Sequence, residues 1–157
     1  MIAVLQHVSF EGPAHIAAWA SSRGLTLDTT RLFAGESTPD VAAIDGLIVM
    51  GGPMNIYEEE DYPWLVSEKA LVRDAIEAGK PVVGVCLGAH MIADVLGSKV
   101  VTVGQKEIGW VPLSLTEAGR SHPVFRAAPA SFPVFHWHGE TFAQPDGAIR
   151  LARTSDC

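Results

Sequence analysis

Short apolar runs rich in β-formers alternate with segments of helical spacing through the first half of the chain. Residues 1–8 (MIAVLQHV) predict a buried strand. Residues 11–23 carry Ile16, Ala17, Trp19 and Ala20 and stop at Gly24, which predicts a helix with a glycine terminator. Residues 25–33 predict a second strand, and residues 44–50 (IDGLIVM) a third that runs into Gly51-Gly52-Pro53. Residues 62–78 give the clearest helix: Leu71, Val72, Ala75 and Ile76 share a face, Pro63 suits the first turn, and Gly79 follows as a stop. Residues 81–85 predict a fourth strand and residues 87–96 a further helix closed by Gly97. Strand followed by helix, repeated, implies an α/β fold: an open, mostly parallel sheet with helices on both faces.

After residue 98 the pattern changes. Residues 99–103, 109–115, 131–136 and 148–152 read as short strands separated by turn residues, a meander or a mixed edge of the same sheet. No repeat, low-complexity tract or linker interrupts the chain, so residues 1–157 read as a single domain.

Composition narrows the function classes. Apolar residues make up 48% of the chain, enough for one sizeable core and too many for disorder. A net charge of −7 without any Lys/Arg cluster argues against nucleic acid and membrane surfaces as partners. Two cysteines, Cys86 and Cys157, do not make a disulfide framework. The N-terminal apolar run lacks a basic flank and is too short for a signal peptide or a span, so a cytoplasmic protein is expected.

The chemistry concentrates in residues 81–96, PVVGVCLGAHMIADVL. A buried strand runs into Gly84-Val85-Cys86-Leu87-Gly88 and then directly into a helix, the G-x-nucleophile-x-G turn with cysteine in the nucleophile position. The turn lifts the thiol above the end of the sheet. The helix N-terminus behind it favours a thiolate, and the Leu87 N–H is placed to bind an oxyanion. Read blandly, Cys86 is a buried structural cysteine at a tight turn, but strand, glycines and helix agree on the nucleophile. Gly51-Gly52-Pro53 ends another parallel strand, so it falls on the same sheet edge, where open α/β sheets bind ligands. Glycine there lets a backbone N–H approach a reacting group.

Together, GGPMNIYEEEDYPWL, GVCLGAH, KEIGW at 106–110 and HWHGETF at 136–142 resemble the class I glutamine amidotransferases, nearest to their stand-alone, GMP-synthetase-like members. The resemblance spans nearly the whole chain and implies flavodoxin-like layering. It implies that Cys86 attacks the side-chain amide of glutamine, that Gly52 and Leu87 hold the oxyanion, and that ammonia passes to a synthetase or other acceptor. It further implies substrate contacts from Gly51, Gly88, His90, Trp137, His138, Gly139 and Glu140, glutamine as the ligand, and no cofactor. His90 stands where the family usually has glutamine. The family's His-x-Glu pair falls beyond residue 157, so an incomplete copy or an impaired remnant acting as a binding module is one rival reading. Another cysteine amide hydrolase of the same superfamily is the other. A sheet edge left open by a missing C-terminal part would be available to a second copy of the chain.

His138-Gly139-Glu140 repeats the His-x-Glu spacing, but its position matches the family's substrate side rather than its base. His136 and His138 sit two apart on one strand; no Cys or carboxylate joins them at supporting spacing, so no metal site is expected. His7, His15 and His122 carry no motif and read as ordinary surface or satisfied residues. The acidic run 58–61 reads as a solvated loop.

Overall fold

The computed structural model describes residues 1–155, with the backbone alone at Gln105. Two compact units follow one another, residues 1–95 and residues 96–157.

The first unit is built on a four-stranded parallel sheet. Its elements run β1 (Ile2–Gln6), α1 (Ala14–Ser21), β2 (Leu27–Arg31), β3 (Gly46–Val49), α2 (Trp64–Glu77), β4 (Val82–Gly84) and α3 (Leu87–Val95). The sheet order is β2-β1-β3-β4, all pairs parallel, as the alternating pattern predicts. All four residues of β3 are buried, as are four of the five in β1, because central parallel strands are covered on both faces. Val4, Ile48 and Met50 form a buried cluster on which Ile2, Ile16 and Leu27 pack. At the end of the order, β4 leaves Val83 53% exposed, the signature of an edge strand among the described residues. In α2 the buried stripe is Leu65, Glu68, Leu71, Val72 and Ala75, which places one charged residue inside an apolar face. Left-handed glycines follow α2 and α3, Gly79 at φ +69° and Gly97 at φ +90°.

The second unit departs from the predicted set of short strands. Residues 104–108 were expected to break the chain; instead β5 runs unbroken over Val100–Leu115. A shift in pairing register between Thr102 and Glu107 takes up the irregularity. It is followed by α4 (Glu117–Ser121), β6 (Ser131–Phe142) and β7 (Ala152–Arg153). The three strands form a separate antiparallel sheet, β6-β5-β7, rather than an edge of the parallel one. Along β6, burial alternates: Phe135 and Trp137 are exposed while His136 and His138 turn to the sheltered face. On the outer face Trp110, Phe135 and Trp137 form an edge-to-face ladder with centroids 5.7 and 6.3 Å apart. Among the described residues no helix is long and apolar enough to cross a membrane.

Candidate active site

Cys86 occupies the junction of β4 and α3 with φ +51°, a left-handed conformation that a non-glycine residue adopts only under constraint. The constraint is visible on both sides. Before it, the Val85 N–H donates to the Val49 carbonyl at 2.9 Å, extending the β3–β4 ladder to the last residue ahead of the thiol. After it, the Cys86 carbonyl accepts from the N–H groups of Ala89 and His90 at 2.9 and 3.1 Å, so the helix starts at once. The two flanking glycines make the turn sterically feasible. A Cβ on Gly84 would lie 2.4 Å from the Gly88 carbonyl carbon, and one on Gly88 would lie 2.2 Å from the Val49 oxygen. The Cys86 side chain is exposed, as a nucleophile must be. Leu87 opens α3, and the first N–H groups of a helix have no intrahelical acceptor.

Gly51 and Gly52 lie beside this turn. A Cβ on Gly51 would stand 3.6 Å from the Cys86 Cβ and 2.8 Å from Glu11 Oε2. A Cβ on Gly52 would stand 3.1 Å from Leu87 Cδ2, 3.1 Å from the His7 Cβ and 2.6 Å from Met54 Sδ. Only glycine fits either position without displacing its neighbours.

The glycine pair is braced from within. His7, immediately after β1, directs Nδ1 to the Gly51 carbonyl at 2.9 Å and Nε2 to Glu68 Oε1 at 2.7 Å. Because a carbonyl and a carboxyl group both accept, both ring nitrogens must donate, which is the imidazolium form. Burial acts against that charge, but the hydrogen bond and charge of Glu68, the Gly51 carbonyl and Glu11 outweigh it and raise the His7 pKa. Both side chains are fully buried, and His7 stacks on Trp64 with ring centroids 5.3 Å apart.

In the second unit, Glu107 lies opposite His138 in the β5–β6 ladder. Its Oε2 is 2.8 Å from His138 Nε2 and 3.2 Å from His136 Nδ1, while Oε1 accepts from the Thr154 hydroxyl at 2.8 Å. Burial works to raise the Glu107 pKa; the hydrogen bonds from Thr154 and His138 and the charges of the two histidines prevail and lower it.

The family model for class I glutamine amidotransferases matches residues 16–157. The chain belongs to the class I glutamine amidotransferase family. It is similar to the glutamine amidotransferase-like protein YfeJ of Salmonella typhimurium, 37% identical over 155 residues, which are 96% of this chain and 65% of that protein. A solved glutamine amidotransferase from Thermotoga maritima superposes with a TM-score of 0.91 at 29% identity, over 99% of this chain and 67% of its own. The glutamine-hydrolysing GMP synthase of Thermomicrobium roseum is 36% identical over 112 residues, 71% of this chain and 19% of the synthase. The chain thus spans just under two thirds of YfeJ and a far smaller share of the synthase.

The expected site residues divide between the two units. Gly51, Gly52, Cys86, Leu87 and Gly88 come together at the carboxyl ends of β3 and β4. His90 lies on α3, one turn past Cys86, and is buried. Trp137, His138, Gly139 and Glu140 lie on β6 in the second unit. The carboxylate facing His138 is Glu107, not Glu140; the Glu140 carbonyl receives His138 Nδ1 at 3.0 Å. Of the acidic run, Glu59 is anchored by Lys69 at 2.7 Å, and all four residues are exposed. The sequence reading missed Glu68 and Glu107 and did not single out His7. For Glu68 a signal existed: it occupies the same helical phase as Leu65, Leu71, Val72 and Ala75.

Proposed function

We propose that this amidotransferase chain hydrolyses the side-chain amide of glutamine with Cys86 as nucleophile. The Cys86 sulfur attacks the amide carbon, and the carbonyl oxygen takes up negative charge facing the N–H groups of Leu87 and Gly52. Collapse breaks the carbon–nitrogen bond, the nitrogen leaves as ammonia after gaining a proton, and water cleaves the thioester to give glutamate and the restored thiol. Gly51, Gly88 and His90 border the bound amide in this reading. The observation that carries the proposal is the left-handed Cys86 between an edge strand and a helix N-terminus, with Gly51-Gly52 against it. Glutamine is favoured over other amides because the relatives include glutamine-hydrolysing GMP synthases, which also point to an ammonia-consuming synthetase activity as recipient.

The test is covalent capture. The chain is incubated with 6-diazo-5-oxo-L-norleucine and mapped by peptide mass spectrometry, with Cys157 as the in-chain reference thiol. One adduct on Cys86, slowed by glutamine and abolished by Cys86→Ser, is expected. Equal modification of both cysteines, or no protection by glutamine, refutes the proposal.

A further inference from the structure

Three donor atoms meet on the sheltered face of the second sheet. His138 Nδ1 meets the Glu140 carbonyl at 3.0 Å, and a carbonyl can only accept, so Nδ1 carries a proton and Nε2 is the ring's remaining ligand atom. Nε2 lies 2.8 Å from Glu107 Oε2 and 3.4 Å from His136 Nδ1, and Oε2 lies 3.2 Å from the same His136 nitrogen. A proton on either histidine can bridge these atoms, and so can a metal ion that takes its place.

The spacing selects the kind of cation. The three separations are 2.8, 3.2 and 3.4 Å. Zinc bound tetrahedrally at about 2.0–2.1 Å from nitrogen and oxygen donors holds its ligands about 3.3 Å apart. A point about 2.05 Å from all three atoms lies about 0.9 Å above their plane, against about 0.7 Å over one face of a regular tetrahedron. Calcium and magnesium prefer all-oxygen shells, so two imidazoles and one carboxylate point instead to a borderline transition ion.

The surroundings orient the donors as a metal site requires. The Glu140 carbonyl fixes the His138 tautomer with Nε2 as ligand, and the Thr154 hydroxyl holds Glu107 Oε1 and turns Oε2 inward. Glu107 is 8% exposed and Thr154 9%, so the donor set is sheltered rather than a chance surface cluster. The β5 register shift ends at Glu107 and sets it opposite His138. The carboxylate that the neighbouring sequence does not provide thus arrives across the ladder. We infer that Glu107, His136 and His138 form a binding site for one divalent transition ion, zinc in type, with a fourth position open to water.

The experiment uses the full chain without a histidine tag, with Cys86 and Cys157 replaced by serine so that no thiol competes, and stripped by chelator. Equilibrium dialysis against buffered Zn2+, read by elemental analysis, is expected to give one ion per chain. Glu107→Gln, His136→Gln and His138→Gln should each weaken binding at least tenfold, while His15→Gln and His122→Gln leave it unchanged. Binding that survives all three cluster variants, or no binding at micromolar Zn2+, overturns the inference. Should a cluster variant not fold, Co2+ added to the chain with the cluster intact decides. Intense visible bands of four-coordinate cobalt support the site, and the weak spectrum of octahedral aqueous cobalt overturns it.

Discussion

Gly88→Ala tests whether the Cys86 turn depends on the close approach of α3 to β3. The added methyl would start 2.2 Å from the Val49 carbonyl oxygen and 2.8 Å from the Val49 Cβ, both backbone-fixed and buried. Ordinary carbon–oxygen contact needs roughly 1 Å more, so α3 must lift from the sheet. The Val49 carbonyl is also the acceptor for the Val85 N–H, the bond that pins the chain immediately before Cys86. Overpacking of this kind costs about 1–3 kcal/mol, and weakening that bond adds about 1 kcal/mol. The expected loss is about 2–4 kcal/mol, a large share of a typical domain's stability of about 5–15 kcal/mol. Gly79→Ala is the matched control. It sits at φ +69° with no atom within 4 Å of the added Cβ, so it reports the left-handed penalty alone, about 1 kcal/mol. Urea unfolding gives the two energies, and the rate of Cys86 alkylation under native conditions reports the turn. Gly88→Ala should change that rate and Gly79→Ala should not. Equal stability losses with an unchanged alkylation rate in both variants would show that the turn does not depend on the contact.

Other outcomes follow from the buried brace behind Gly51. Glu68→Ala leaves His7 buried without its partner and should cost about 3–5 kcal/mol, measured by urea unfolding; a loss below about 1 kcal/mol means the pair is not formed. The pH dependence has a defined sign. The His7 pKa is raised in the folded chain, so its stabilising contribution is fully present below about pH 6.5 and is lost as pH rises through the folded value. The difference in urea midpoint between wild type and His7→Gln should therefore shrink from about pH 6 to about pH 9. A difference independent of pH would mean that His7 does not gain a proton on folding.

The parts of the fold legible from sequence were those with local periodicity. β1, β3 and β4 each fall inside a predicted strand, and α2 and α3 inside a predicted helix, because buried parallel strands and amphipathic helices write their period directly into the chain. Cys86 was legible for a related reason: its neighbours at −2 and +2 are the glycines that the turn requires, and the contacts that require them are with Gly88 and Val49. The second unit was less legible. Residues 104–108 read as a break between two strands, but β6 continues to pair on both sides of the irregularity, and the ladder carries β5 through it. Cross-strand pairing supplies hydrogen bonds that no window of local sequence can count.

The charged residues that organise each unit were hidden for a different physical reason. His7 and Glu68 are 61 residues apart, and Glu107 and His138 are 31 apart. Neither pair has a spacing to notice. What each member does have is a polar side chain at a position whose neighbours in phase are buried. Glu68 interrupts the apolar stripe of α2, His7 ends the buried run of β1, and His136 and His138 share the inward phase of β6. Burying a charge alone costs several kcal/mol, so a charged residue held at a core phase implies a partner that has not yet been found. That inference needs no structure to pose, only a structure to complete. Here the completion differs between the units. The first pair closes on itself and holds the Gly51 carbonyl beside Cys86. The second converges three donor atoms on one point, and the geometry of those atoms is what turns a buried charge into a metal site.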